Sequence, residues 1–246
     1  MTLPGYQVDS RVWMNRAQLE YELIKIKESP LYQQTIYFTP DSYLSSLGDT
    51  RAITMVNQVP NFRTGVALFY GCESGLAILP PFPIRSNQEC DFVYIDPLLS
   101  IVRDTMTVGV ILLRLGMYAV GVIKGAELLV SKTGTRYVKN RHRKGGSSQR
   151  RFERNRERWI KDLFEKVCSV TEDVFRPHNS EIDYFVMGGE KHTLSGFLEQ
   201  CNYINQTGIQ ILGRRVDVKK PDRNSLNGVH KEILKTLVIK FVKTET

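Results

Sequence analysis

Five consecutive residues, Gly145-Gly146-Ser147-Ser148-Gln149, interrupt the most basic stretch of a 246-residue chain. Glycine reaches positive φ at no steric cost and lets a backbone approach a partner closely. The glutamine amide both donates and accepts hydrogen bonds, so it can hold a water molecule in place without transferring a proton itself. Arg136, Lys139, Arg141, Arg143 and Lys144 precede these five residues, and Arg150, Arg151 and Arg154 follow them. His142 is the one imidazole in the neighbourhood and the local candidate for a general base. These residue types describe an uncharged tip between cationic flanks, suited to chemistry by positioning at a polyanion.

Charge is concentrated there. Residues 132–158 carry eleven Lys or Arg against two acids, Glu153 and Glu157, whereas the rest of the chain holds 23 basic and 24 acidic residues. The net charge of +8 therefore belongs to one segment, as a footprint for nucleic-acid phosphates would. Arginines on a helix are commonly a solvated face with i,i+4 acidic partners, but two acids cannot neutralise eleven cations. Trp159 reads as core, and Tyr137 as half-buried on a strand or as a stacking surface for a base.

Other chemistries find little support. Cys72, Cys90, Cys168 and Cys201 are far apart, and His142, His178, His192 and His230 share no ligand spacing, so neither metal nor cofactor is expected. The thiols are expected to be reduced, in keeping with a cytoplasmic location. Gly71-Cys72-Glu73-Ser74-Gly75 puts its serine one place late for a nucleophile elbow, and no GxxxxGK[ST] run occurs. No strand supplies the acid cluster of a two-metal nuclease. The longest apolar tract, residues 108–130, contains Arg114, Lys124, Glu127 and several glycines, which suits paired strands better than a membrane span. There is no basic n-region followed by an apolar run at the N-terminus, and neither membrane nor DNA is an expected partner.

The elements that must position the tip can be read from periodicity. Residues 108–116, 117–125 and 126–134 form three strands in close succession, with turns at Gly116 and Gly125 that imply antiparallel neighbours. The third leads into the basic segment. Beyond Gln149 the apolar period becomes 3.6, predicting a helix over about 148–175 that buries Phe152, Trp159, Leu163, Val167, Val170 and Val174. Upstream, a helix is expected over 11–28, a strand over 34–38, a helix starting at Thr39-Pro40-Asp41, and a hairpin from 66–71 and 76–82. The segment 49–64 has no firm period, and Pro97 separates a strand from a short helix within 92–104. Downstream come a strand over 183–189, a helix over 194–204, a strand over 209–218 and a last helix over 228–243 whose tail is compatible with a strand. The class is α+β, a mixed sheet with packed helices. The division expected is an N-terminal extension, 1–62, packed on a core domain, 63–246, that carries a protruding loop, 139–149.

With strand, glycine loop and arginine helix in that order, the chain resembles the catalytic middle domain of archaeal and eukaryotic class-one peptide-chain release factors. The resemblance rests on Arg143-Lys144-Gly145-Gly146 and on Arg151-Phe152-Glu153-Arg154-Asn155-Arg156-Glu157. It is similar, more closely, to the Vms-like release-factor (VLRF) family, particularly its bacterial members, through GMYAVGVIKGAELLVSKTGTRYV and GGSSQRRFERNR. The similarity spans about residues 105–215; in the first hundred residues only VALFYG matches. It implies a release-factor middle-domain, ribonuclease-H-like architecture.

The function implied is peptidyl-tRNA hydrolysis in ribosome rescue or quality control. Gly145, Gly146, Ser147, Ser148 and Gln149 would be the catalytic tip. Arg136, Lys139, Arg141, His142, Arg143, Lys144, Arg150, Arg151 and Arg154 would bind rRNA and tRNA at the peptidyl-transferase centre. One departure stands: in the release factors glutamine directly follows the glycine pair. Alignment on Arg151-Phe152 puts Ser147 at that position, whereas the VLRF spacing restores Gln149. Ester hydrolysis and a cut in the tRNA strand near its 3′ end both remain open, as does the alternative of a non-catalytic ribosome- or RNA-binding protein. Oligomeric state is not legible.

Overall fold

A computed structural model describes residues 5–40, 49–60, 63–138 and 147–244, with only the backbone of Ser147 and Ser148. The chain divides into two compact units, one from Met1–Asp104 and Leu234–Thr246, the other from Thr105–Ile233. The division is not at residue 62. Strands on either side of that point pair with each other, Gln34 opposite Tyr70 and Phe38 opposite Val66, so a boundary there would cut a sheet.

The first unit opens with β1 (Tyr6–Met14), an element the sequence pattern had assigned in part to a helix. Arg11-Val12-Trp13-Met14 is β-branched and aromatic enough to stay extended, and the helix begins later, at α1 (Arg16–Glu28). Asn15 caps it: its Oδ1 accepts from the Gln18 N–H and its own N–H donates to Gln18 Oε1, each at 3.0 Å. β2 (Gln34–Phe38), α2 (Thr50–Val56), β3 (Val66–Tyr70), β4 (Ser74–Leu79), β5 (Gln88–Cys90) and α3 (Asp96–Arg103) follow. The segment without a firm period thus contains a short helix, capped by Asp49. The helix expected after Thr39 lies largely outside the described residues.

The second unit begins with β6 (Thr107–Arg114), β7 (Met117–Lys124) and β8 (Glu127–Thr135), the meander that period-2 patterning predicts. Its two-residue turns carry Gly116 at φ 96° and Gly125 at φ 59°, conformations that other residues rarely adopt. A long helix, α4 (Ser147–Phe175), comes between this meander and β9 (Tyr184–Gly189), which lies parallel to β6. The sheet order is β8-β7-β6-β9. α5 (Lys191–Gln200), α6 (Asn202–Gln206) and α7 (Arg223–Ile233) complete the unit. The strand expected over 209–218 is reduced to isolated parallel bridges, Phe185 with Ile211 and Gly188 with Val216. α7 covers β7 and β8, and α4 and α5 pack in a separate apolar cluster with Leu113, Val120, Phe185 and Met187.

The chain then returns to the first unit as β10 (Thr236–Lys243), the strand that the apolar tail of the last helical pattern becomes. β10 lies between β1 and β4, giving the antiparallel order β1-β10-β4-β3-β2-β5. Both faces of this sheet are buried. Tyr37, Phe69, Ile78 and Val238 meet α1 and α3 residues, while Ile36, Leu68, Ala77 and Ile239 meet those of α2.

Two packing expectations need correction. Cys168 on α4 is disulfide-bonded to Cys201, between α5 and α6, with Cα atoms 5.3 Å apart; Cys72 and Cys90 are free. Sequence distance hid this pair, because only the packing of α5 on α4 brings the two together. Secondly, α4 is buried along its C-terminal half alone: Leu163, Phe164, Val167, Val170, Val174 and Phe175 are core, whereas Phe152 and Trp159 are half-buried. Leu163→Ala should therefore lower stability by about 2–5 kcal/mol, and Trp159→Ala by about half as much or less. Chemical denaturation of the two variants beside the parent checks the difference.

Candidate functional site

The site lies where β8 ends and α4 begins. Arg136 closes the hairpin end of the sheet: its N–H donates to the Gly116 carbonyl at 2.9 Å, and its guanidinium lies 4.0 Å from Asp162 on α4. Further down, Lys132 on β8 reaches Asp173 at 3.5 Å. Residue number rises along the helix as it falls along the strand, so α4 runs antiparallel to β8 and passes the sheet edge near residue 162. The thirteen helical residues from there back to Gln149 carry the N-terminus about 20 Å further, at 1.5 Å per residue. None of the residues described between 149 and 162 is fully buried.

Of the residues assigned to the site from sequence, Lys139, Arg141, His142, Arg143, Lys144, Gly145 and Gly146 lie outside the described residues. Ser147, Ser148 and Gln149 occupy the first turn of α4, so the helix takes in the last three residues of the loop expected over 139–149. Gln149 Nε2 donates to Glu153 Oε1 at 3.1 Å, an i,i+4 pair that favours the helical conformation. The backbone N–H groups of a helix's first four residues have no intrahelical acceptor, and they carry the positive end of the macrodipole.

Arg150, Arg151 and Arg154 are exposed, as is Arg158, and among the described residues none of the four forms an ion pair. Glu153 is engaged with Gln149 rather than with a cation. The arginines are therefore left to the solvent, the arrangement a polyanion-binding face requires. Among the described residues no group of three His, Cys, Asp or Glu side chains could hold a metal ion, and no helix is long and apolar enough to cross a membrane.

Sequence reasoning did not reveal an aromatic cluster between the two stems of the loop. Tyr137 and Trp159 have ring centroids 5.7 Å apart at 70°, and Phe152 stands 6.4 Å from Trp159 at 80°. The 3.6 period placed Phe152 and Trp159 on one face, but it could not say that this face would meet Tyr137 instead of the sheet. In the first unit, another unforeseen polar cluster joins Asp49 to Arg51 at 2.6 Å and to the Tyr70 hydroxyl at 3.2 Å. It ties the α2 cap to β3.

The peptide chain release factor subunit 1 of Archaeoglobus fulgidus is 31% identical over 186 residues, covering 70% of this chain and 46% of that protein. That of Aeropyrum pernix is 35% identical over 100 residues, or 40% of this chain and 27% of its own. The chain thus spans less than half the length of these curated relatives. A crystal structure of an archaeal translation termination factor, aRF1, aligns over 90% of this chain and 73% of its own, at 19% identity and a TM-score of 0.40. The profile of the Actinobacteria/chloroflexi VLRF1 release factor matches residues 106–238, more than half of the chain and the whole of the stretch from β6 to α7. The chain belongs to that release-factor family.

Proposed function

We propose that this protein hydrolyses peptidyl-tRNA on stalled ribosomal complexes, freeing the nascent peptide. What supports the reading is one arrangement: a glycine pair followed by a helix whose first turn bears Gln149, standing about 20 Å beyond the sheet edge and followed by exposed arginines that form no ion pair among the described residues.

The bond at issue is the ester between the peptide and the terminal ribose of tRNA. Water attacks the ester carbonyl, a tetrahedral oxyanion forms, and collapse returns the proton to the departing ribose oxygen. Gln149 can contribute in two ways. Its side-chain amide, once freed from Glu153, can hold the water by donating and accepting at once. Its backbone N–H, among the free donors of the first helical turn, can face the developing oxyanion with the helix dipole behind it. The long, exposed helix suits insertion of the tip into a narrow RNA cavity, and Arg150, Arg151 and Arg154 would hold register through phosphates without reading bases. Working at the ribosome, the protein would act in the cytoplasm. His142 would be the base if the tRNA strand were cut instead, since that reaction must deprotonate a ribose hydroxyl.

Peptide release from purified stalled complexes tests the proposal. Gln149→Ala should leave the melting curve unchanged and slow release by about 100-fold, the usual loss for one oriented donor at a reacting centre. A smaller drop, with Gly146→Pro the more damaging change, would assign the role to the backbone N–H. Loss of release in Ser147→Ala but not in Gln149→Ala would move the catalytic position to residue 147. No release by the parent on any such complex would leave an RNA-binding module.

The cationic face makes its own prediction. Ribosome or tRNA binding should weaken steeply with salt, and replacing Arg150, Arg151 and Arg154 together by Gln should flatten the slope by up to about 0.7–0.9 per lost phosphate contact. A slope unchanged by the triple substitution would take this face out of the interface.

A further inference from the structure

The aromatic cluster at the root of the helix has a part that packing alone does not use. Trp159 is held between Phe152 and Tyr137, and this braces the two stems on either side of residues 139–146. Tyr137, however, is 68% exposed, the most exposed of the large apolar or aromatic side chains described. Bracing accounts for its contact with Trp159 but not for the area it leaves in water.

Its surroundings point to an occupant. Phe152, Arg156 and Trp159 follow one another at i, i+4 and i+7, on one face of α4. Arg156 Nε is buried and has no hydrogen-bond partner among the described residues. A buried donor of that kind is normally satisfied, and a charged one most of all. Arg136, adjacent in sequence to Tyr137, reaches Asp162 only at 4.0 Å. An exposed ring on an aromatic support, with one arginine next to it in sequence and another on the helical face that bears the support, is the composition of a site that stacks one base and neutralises the phosphate next to it. Duplex RNA cannot fill such a site, because its bases are already stacked on one another; an unpaired nucleotide can.

We propose that Tyr137, supported by Trp159 and Phe152, stacks on an unpaired nucleobase of the bound RNA, whose neighbouring phosphate is taken by Arg156. This rests on the RNA-directed function above and adds to it a fixed point behind the tip. A single-stranded contact there would set how far α4 enters its cavity.

The test uses the full chain with Trp13→Phe, which leaves Trp159 as the only indole, since the sequence has two. Its emission is followed on titration with a short single-stranded RNA and with a blunt RNA duplex carrying the same number of phosphates. The single strand should bind and quench the emission. Tyr137→Ala and Tyr137→Leu should each lose about tenfold in affinity for the single strand, Tyr137→Phe should keep it, and duplex binding should be the same in all three. Arg156→Gln should also weaken single-strand binding. An exposed side chain carries little of the fold, so the melting midpoints should match the parent. Equal affinity in Tyr137→Ala, equal losses on single strand and duplex, or no binding of the single strand by the parent would each overturn the proposal. The peptide-release assay reads the catalytic function separately. Release without a Tyr137 effect sinks the stacking site alone, and a Tyr137 effect without release sinks the hydrolase alone.

Discussion

The burial of one half of α4 against the sheet of the second unit is the interaction on which the rest of this molecule depends. Leu163, Phe164, Val167, Val170, Val174 and Phe175 place a continuous apolar stripe in the cluster that also contains Val120, Phe185 and Met187. Most of a helix's stability in a protein comes from packing an apolar face rather than from propensity, and for this 29-residue helix the C-terminal half supplies that burial. Apart from Phe152, Trp159 and Ile160, the N-terminal half is then free to be polar. The disulfide from Cys168 to Cys201 fastens the same buried half to the α5–α6 junction, and Arg136 and Lys132 face Asp162 and Asp173 at the sheet's edge. Every side chain on α4 that has a role in the proposed function lies beyond these attachments, so stability is concentrated at one end of the helix and the proposed chemistry at the other.

That separation also explains the charge distribution. A run of arginines in a helix repels itself, and a compact domain would normally mix acids among them. Here the repelling charges sit on a part of the helix that core packing has already oriented, and Glu153 is turned to Gln149 instead. The aromatic group of Phe152, Trp159 and Tyr137 adds local cohesion where the apolar stripe ends.

The second unit was legible in the sequence because its information is local. Three strands joined by two-residue glycine turns and a helix with a sustained 3.6 period can be read without knowing what they pack against. In the first unit the local elements were legible too, the strand over 34–38 and the hairpin of β3 and β4, but the rest was not, for a physical reason: its pairings are remote. β10 lies between β1 and β4, and nothing in the pattern of Thr236 to Lys243 announces partners at Met14 and Leu79. Val12 and Trp13 fit a helical face as well as an extended edge, and only pairing with β10 chooses. The candidate site was legible as composition and order. That Gln149 would be wound into the first turn of α4, hydrogen-bonded to Glu153, depends on where the helix starts, which is the least determined feature of any helical pattern.

The interleaving of the two units bears on how the chain is made. Synthesis is vectorial, at roughly 5–20 residues per second, and domains usually fold in the order in which they emerge. Here the earlier unit cannot close its sheet until β10 has been made, and β10 follows the whole of Thr105–Ile233. Until then β1, which pairs with β10 alone among the described strands, has no strand beside it, and β4 has one edge open, while the later unit acquires all of its strands and helices. The second unit to be translated is thus the first that can finish folding. The open strands flanking the vacant β10 position are where a chaperone, or an unwanted strand from a neighbouring chain, would have its opportunity.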